Sequence, residues 1–92
     1  MIKSFKNEET RIVFETGRSR RYGAVARSAA RRLGDIEFAR AVEELKEPPG
    51  NRLERLKGDR AGQWSIRIND QYRICFRWEG AHAWDVEIVD YH

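Results

Sequence analysis

The sequence predicts a single α+β domain, residues 1–92, in which N-terminal helices pack on one face of a small antiparallel β-sheet. Two patterns carry this prediction. From residue 63 onward, apolar and polar residues alternate with period two, which is typical of half-buried strands. Before residue 50, apolar residues recur at helical spacing, so the helices supply a cover for the apolar face of the sheet. At 92 residues, the chain has room for one domain only.

An edge strand and one helix are predicted first. Ile2–Phe5 suits a short edge strand. Asn7 has the properties of an N-cap, the acidic residues after it complement the helix dipole, and Gly17 is a suitable end for the helix. The basic loop Arg18–Arg21 that follows is either a solvated connector or a contact for phosphate groups or a partner.

Two more helices are predicted before the sheet. The second covers residues 22–33, with Gly34 as its end. A third, amphipathic helix follows, which Asp35 caps and Pro48-Pro49-Gly50 stops. Residues 51–59 lead from there into the sheet and have room for one short strand.

Three antiparallel strands are predicted in the last third of the chain. Their core-facing side chains are those of Trp64, Ile66, Ile68, Tyr72, Ile74, Phe76, Trp78, Trp84, Val86 and Ile88. Pairing these residues across the first hairpin leaves a three-residue loop, residues 69–71, and places Arg67 opposite Arg73. A second turn over residues 79–81 places Trp84 opposite Phe76 and Glu87 opposite Arg73.

The polar face of this sheet is predicted to be cationic. The strands contribute Arg67, Arg73 and Arg77 to this face. We group with them Lys57 and Arg60, which precede the first of the three strands. Solvent and an ion pair, such as Arg73 with Glu87, explain any single arginine there. Two arginines directly opposite each other repel, so a bound phosphate explains the pair Arg67–Arg73 better.

Composition limits the partners and the compartment. The net charge of +3 and the isoelectric point of about 9.4 favour a polyanionic partner. Cys75 is the single cysteine, so it forms no internal disulfide, which points to a reducing compartment. The sequence shows neither a signal peptide nor an apolar run of transmembrane length, so we expect a cytoplasmic protein with no membrane partner.

Few residues have catalytic potential. His82 is expected in an exposed loop beside the second turn. Asp90, Tyr91 and His92 offer in succession an acceptor, a phenolic donor and a group that titrates near neutral pH, which are the components of an acid–base site. A frayed terminus is the alternative. The two histidines and the mid-strand Cys75 do not match zinc spacing or a thiol nucleophile, and the chain has no glycine-rich phosphate loop.

One long segment and the C-terminus resemble a known family. The segment Leu56–Phe76, which reads Leu-Lys-Gly…Gly…Trp-Ser-Ile-Arg…Tyr-Arg-Ile…Phe, and the ending Val86–His92 resemble the HigB branch of the RelE toxin superfamily. The resemblance extends over the whole chain, including the Ile-Lys-Ser-Phe start and the Pro-Pro-Gly-Asn-Arg-Leu segment. It implies a RelE-like fold, similar to that of microbial ribonucleases, and a toxin of a type II toxin–antitoxin system.

The resemblance also implies an activity and a set of site residues. Such relatives enter the ribosomal A site and cleave the mRNA there, as endoribonucleases that need neither a metal nor another cofactor. By match to the family motif, the catalytic residues are Lys57, Arg73, Asp90, Tyr91 and His92. Arg60 and Arg67 are then secondary contacts to RNA phosphates. Some relatives carry a histidine near Glu54, so either Glu54 takes part of that role or the C-terminal residues carry the acid–base chemistry alone.

The implied partners are mRNA on the ribosome, with contacts to rRNA, and a HigA-like helix-turn-helix antitoxin. Operator DNA is then bound only through the complex with the antitoxin. Two rival functions stay open: a non-catalytic nucleic-acid-binding or co-repressor module, and a scaffold whose sole partner is a protein. Growth arrest on expression, relieved by a co-expressed helix-turn-helix partner, distinguishes the toxin from both rivals.

Overall fold

Two helices pack on one face of a four-stranded antiparallel sheet of strand order β1-β2-β3-β4. The computed structural model describes residues 1–90; Tyr91 and His92 lie outside the described residues. The elements are α1 (Glu8–Thr16), α2 (Val25–Phe38), β1 (Glu54–Arg55), β2 (Gln63–Arg67), β3 (Tyr72–Glu79) and β4 (His82–Asp90), with short 3-10 helices at Val42–Lys46, Pro49–Asn51 and Gly58–Arg60. Within residues 1–90, no helix is long and apolar enough to cross a membrane.

The first helix has the predicted boundaries. The Asn7 side-chain oxygen accepts a hydrogen bond of 2.9 Å from the backbone N–H of Thr10, which satisfies one of the otherwise unpaired donors of the first turn. Gly17 ends the helix in the left-handed region, with φ of 70°, where glycine has no steric cost. Residues Ile2 and Phe5 form isolated parallel bridges with β4, so the N-terminal segment lies at the predicted edge position without becoming a continuous strand.

The predicted end of the second helix at Gly34 is wrong. The helix continues to Phe38, because Ala26, Ala29, Leu33 and Ile36 form one buried stripe at helical spacing that crosses Gly34. Asp35 is therefore inside a helix and caps none. The predicted third helix is reduced to the 3-10 helix Val42–Lys46, whose buried residues are three positions apart, as the 3-10 repeat requires.

The predicted register of the first hairpin is confirmed. Trp64 lies opposite Phe76, Ile66 opposite Ile74, and Arg67 opposite Arg73. The short predicted strand before Gln63 is also present, as β1, which pairs with β2.

The predicted register of β3 with β4 is wrong. Glu79 pairs with His82, so the turn has two central residues, Gly80 and Ala81, both with positive φ, as a type I′ turn requires. A β-bulge then adds one residue to β4, where Asp85 has φ of 52°. As a result, Trp84 lies opposite Arg77.

The bulge also changes which β4 side chains face the helices. The core contains Ala83, Val86 and Ile88 from this strand, together with Phe76 of β3 and the buried stripe of α2. Trp84 is on the other face, so its assignment to the core is wrong. Farther along the strand, Glu87 lies opposite Cys75 and Val89 opposite Arg73, which corrects the predicted pairing of Glu87 with Arg73.

Candidate functional site

The Arg73 guanidinium is fixed on the sheet face that points away from the helices. Its Nε donates a hydrogen bond of 2.8 Å to the Ser65 hydroxyl on β2. Its Nη2 donates one of 2.7 Å to the backbone carbonyl of Arg52. Since these two acceptors come from different segments, the guanidinium plane has a defined direction before any substrate arrives.

The Arg52 carbonyl is held in position by an unusual piece of backbone. Arg52 has φ of 47° and ψ of 56°, a left-handed conformation that is uncommon for a residue with a side chain. The preceding Asn51 is fully buried, and its amide Nδ2 donates to the carbonyls of Leu45 at 3.2 Å and Glu47 at 3.3 Å. Asn51 thereby ties the segment that carries the Arg52 carbonyl to the preceding 3-10 helix.

The facing arginines of the first hairpin have acceptors within the protein. Arg67 forms a short ion pair with Asp70 in the hairpin loop, whereas Arg73 binds Ser65 and Arg52. The predicted cross-strand pair is therefore present, but a bound phosphate is not needed to explain it. The predicted phosphate between them is therefore not required, because the two guanidinium groups bind different acceptors.

Glu87 is the acidic centre of the same face. Its side chain, 14% exposed, accepts a hydrogen bond of 3.2 Å from Arg60 and lies 3.6 Å from the Lys6 ammonium. Arg60 also donates to Gln63 at 3.0 Å. Sequence patterns do not predict Lys6 or Ser65 at this site, and they pair Glu87 with Arg73 instead of with Arg60 and Lys6. Glu87 occupies a polar position in the alternation of β4, and this alone predicts that it lies on the sheet face away from the helices.

Lys57 and Glu54 lie beside this face on the edge of the sheet. Both side chains are exposed and line one shallow depression. Glu54 is opposite Ser65, the residue whose hydroxyl accepts from Arg73. The structure thus places Glu54 near Arg73, across Ser65, and Lys57 beside Glu54. Lys57 lies toward the Gln63 end of β2, whereas Arg73 pairs with Arg67 at the other end of that strand.

Asp90 completes the described part of the predicted catalytic set. It lies opposite Tyr72 at the C-terminal end of β4, and it accepts a hydrogen bond of 3.2 Å from the Gln71 side chain. Arg73 pairs with the preceding residue, Val89, so the strand alternation places Asp90 on the Tyr72 side of the sheet and Arg73 on the other. The predictions for Tyr91 and His92 fall outside the described residues. In sequence, they are the two residues after Asp90.

The other predicted chemistry residues have ordinary structural positions. Burial raises the pKa of the Cys75 thiol, and Arg60 opposes this effect only in part, so the thiol stays protonated at neutral pH. His82 is half-buried at the start of β4, which corrects the expectation of an exposed loop residue. Arg77 pairs with Asp85 at 2.9 Å and with Glu79, and the hydrogen bond to Asp85 raises its pKa. In residues 1–90, no three His, Cys, Asp or Glu side chains are grouped closely enough to hold a metal ion.

A second group of arginines lies on the helical layer. Residues 17–34 contain six arginines and no acidic residue. The exposed side chains of Arg18, Arg20, Arg27 and Arg31 have no hydrogen bond or ion pair among residues 1–90. Arg18 and Arg27 line one depression, and Arg31 follows Arg27 by one helical turn. We call Arg18, in the loop before α2, and Arg27 and Arg31, on α2, the helical arginines. Unlike Arg60, Arg67 and Arg77 on the sheet, they have no acidic partner in that part of the chain.

Comparisons with known proteins agree with this architecture. The profile of a family described as "RelE-like toxin of type II toxin-antitoxin system HigB" matches residues 3–92. A protein of Proteus vulgaris named "Endoribonuclease HigB" is 37% identical over the full length of both chains. "Toxin HigB-1" of Vibrio cholerae is 35% identical over 85% of this chain and 84% of its own.

Solved structures of similar fold include toxins with little sequence identity. A structure titled "YoeB-YefM complex from Staphylococcus aureus" has a TM-score of 0.57 at 12% identity, over 100% of this chain and 98% of that one. A "YoeB/ParE toxin from Agrobacterium tumefaciens" has a TM-score of 0.53 at 22% identity, over 99% of this chain and 100% of that one. At this identity, the likeness establishes the fold alone.

Proposed function

Because the chain belongs to the RelE-like HigB toxins of type II toxin–antitoxin systems, we propose that it is a metal-independent endoribonuclease that cleaves mRNA in the ribosomal A site and so inhibits translation. The proposal places it in the cytoplasm, where ribosomes are. The observation that carries it is the fixed Arg73 guanidinium beside the C-terminal end of β4. A cation that is oriented in advance and still partly exposed is what a developing phosphorane charge requires.

RNA carries its own nucleophile, the 2′-hydroxyl. A metal-free enzyme must remove that proton, stabilise the charge on the phosphorane and protonate the leaving 5′-oxygen. We assign one of the two proton transfers to His92, with Asp90 as its orienting group or its partner in the second transfer. Tyr91 positions the substrate or donates a hydrogen bond to it. Both Lys57 and Arg73 stabilise the developing negative charge, and the electrostatic contribution is often the largest one.

Secondary contacts surround this centre. We assign Arg60 and Arg67 to RNA phosphates near the scissile bond, since each lies on the same sheet face as Arg73. Their acidic partners, Glu87 and Asp70, must then share them with the phosphate. Glu54, exposed beside Lys57, is the candidate for the role that a histidine has in some relatives.

Because the site has few titratable groups, we infer that the ribosome contributes to catalysis by orienting the mRNA. Correct orientation of a substrate contributes about 7–11 kcal/mol to lowering a barrier in favourable cases. Purified protein should therefore leave naked RNA largely intact and cut mRNA on translating ribosomes. The helical arginines supply contacts to rRNA phosphates outside the catalytic site, because they carry positive charge without acidic partners in residues 1–90.

The proposed protein partner is a HigA-like helix-turn-helix antitoxin. It neutralises the toxin, and the complex of the two binds operator DNA through the antitoxin. A structural neighbour from Staphylococcus aureus, titled as a heterotetrameric complex of the YoeB-YefM toxin-antitoxin, supports the assembly of a toxin of this fold with an antitoxin.

The test is deletion of His92. General acid–base catalysis is worth about 100- to 10,000-fold in rate, so mRNA cleavage on translating ribosomes should fall by about that factor with the melting temperature unchanged. The substitution His82→Gln is the control, since it removes the other histidine, which is the first residue of β4.

Retention of full toxicity by the His92 deletion would exclude the proposed role. The non-catalytic rival predicts that outcome together with weaker nucleic-acid binding by Arg73→Glu. The protein scaffold predicts no growth arrest at all.

A further inference from the structure

The C-terminal end of α2 exposes a large apolar side chain inside an acidic rim. Phe38 is 83% exposed, the most exposed large apolar residue among residues 1–90. The depression around it is lined by Phe38, Ala39 and Leu45 and by the acidic residues Asp35, Glu44 and Glu47. We call this surface the Phe38 depression. An exposed apolar side chain with polar residues around it is the composition of a protein-binding site.

The charge at this end of α2 opposes the helix dipole. A helix C-terminus carries partial negative charge and favours cations, yet the last turn of α2 has no basic residue and contains Asp35 and Glu37. Residues 35–47 contain five acidic and two basic side chains. An arrangement that is unfavourable for the isolated helix becomes favourable when a cationic partner is bound.

We propose that the Phe38 depression docks a segment of the cognate antitoxin in which an apolar side chain is flanked by lysine or arginine. This inference rests on the antitoxin partner of the proposed function. The acidic rim repels phosphate groups, so RNA is not the occupant. A second copy of this chain, which would bring its helical arginines to the acidic rim, is the competing occupant, and the sedimentation measurement below distinguishes it.

The docking site adjoins the segment that positions Arg73. Leu45 and Glu47 line the depression, and their backbone carbonyls are the two acceptors of the buried Asn51 amide. Asn51 precedes Arg52, whose carbonyl accepts from Arg73. An antitoxin bound at Phe38 therefore contacts the support of the catalytic arginine, and it need not cover the open face of the sheet.

The test compares matched substitutions in binding to the purified cognate antitoxin, measured by calorimetry. Phe38→Ser should raise the Kd at least about tenfold, since the burial of a phenylalanine side chain is lost. Ile12→Ser, an exposed apolar residue of α1 outside the depression, is the control and should leave the Kd unchanged.

Charge reversal tests the rim separately. Asp35→Lys should weaken binding several-fold at about 0.1 M salt, and the difference should largely disappear at about 1 M, where the screening length is about 3 Å. Glu43→Lys is the matched control, because Glu43 is exposed on the adjacent 3-10 helix but does not line the depression.

Each outcome separates the inference from the proposed function. An unchanged Kd for Phe38→Ser overturns the docking site, while neutralisation of the wild-type toxin leaves the proposed function intact. If the antitoxin fails to bind or neutralise even the wild-type chain, the proposed function fails and the inference with it. If Phe38→Ser changes only self-association in sedimentation, a second copy is the occupant and the inference is wrong. The cleavage activity of Phe38→Ser should equal that of the wild type.

Discussion

At the scale of single residues, the site depends on backbone as much as on side chains. Arg73 is oriented by a hydroxyl, from Ser65, and by a backbone carbonyl, from Arg52. Sequence patterns predicted that Arg73 lies on the open face, because alternation in β3 is a local property. They did not predict its acceptors, since neither is recognisable before the strands are assembled.

The contribution of Arg52 is predicted to be that of its carbonyl alone. Arg52→Gly removes the cost of the left-handed conformation, about 1–2 kcal/mol, and adds about 0.5–1 kcal/mol of chain entropy to the unfolded state. The free energy of unfolding should therefore change little, and cleavage on ribosomes should stay within about threefold of wild type, less than 1 kcal/mol in activation free energy.

Ser65→Ala provides the contrast. It removes the acceptor of the Arg73 Nε, a hydrogen bond to a charged group worth about 1.5–3 kcal/mol, so cleavage should fall by at least about tenfold. Equal effects of the two substitutions would contradict the role given to the carbonyl.

At the scale of elements, α2 shows how tertiary packing overrides a local signal. Gly34 is a plausible helix end by composition, but the apolar stripe of α2 continues to Ile36 and packs into the core. Burial of such a stripe outweighs the helix penalty of one glycine, about 1 kcal/mol. The hairpin of β3 and β4 is a second case, since neither the two-residue turn nor the bulge at Asp85 is visible in the alternation.

Gly34→Ala is predicted to stabilise the protein. Gly34 does not have a positive φ, and an added Cβ would meet no other atom within 4 Å, so the free energy of unfolding should rise by about 0.5–1 kcal/mol. Gly17→Ala has the same open surroundings but φ of +70°, so it should lower the free energy of unfolding by about 1 kcal/mol. Urea denaturation of the two variants measures both changes, and a destabilising Gly34→Ala would show that the helix is interrupted there.

At the scale of the whole molecule, charge is separated between surfaces. The chain has 18 basic and 15 acidic residues. Six of the basic residues are arginines in the stretch 17–34, which leaves 12 basic against 15 acidic residues elsewhere. The net charge of +3 therefore understates a strongly basic stretch, residues 17–34, in an otherwise slightly acidic protein, and such a stretch is suited to a phosphate backbone.

Reversal of two helical arginines is predicted to weaken ribosome association. Arg27→Glu with Arg31→Glu should reduce affinity for ribosomes by about tenfold or more at low salt, and it should reduce the salt dependence by roughly one unit of slope for each rRNA phosphate that is no longer neutralised. Lys3→Glu with Lys46→Glu changes the net charge by the same amount at exposed positions elsewhere and is the control. Equal reductions in both double variants, measured by ribosome co-sedimentation, would indicate that only net charge matters.

The sequence alone determined the features that depend on neighbours within a few residues. These are the α1 caps, the alternation of the strands and the register of β2 with β3. Hydrogen bonds and apolar periodicity at short range encode each of them, so each can be predicted from the order of residues along the chain.

Only the tertiary structure decided the partners of the charged residues and the register of β4. Arg73 meets a carbonyl 21 positions away, and Arg60 meets Glu87 across 27 positions. Such contacts arise from the way the bulge, the 3-10 helices and the N-terminal segment meet over the sheet. An arginine donates to whichever acceptor the fold brings within hydrogen-bond distance, and that distance in space cannot be predicted from the separation of the two residues in the sequence.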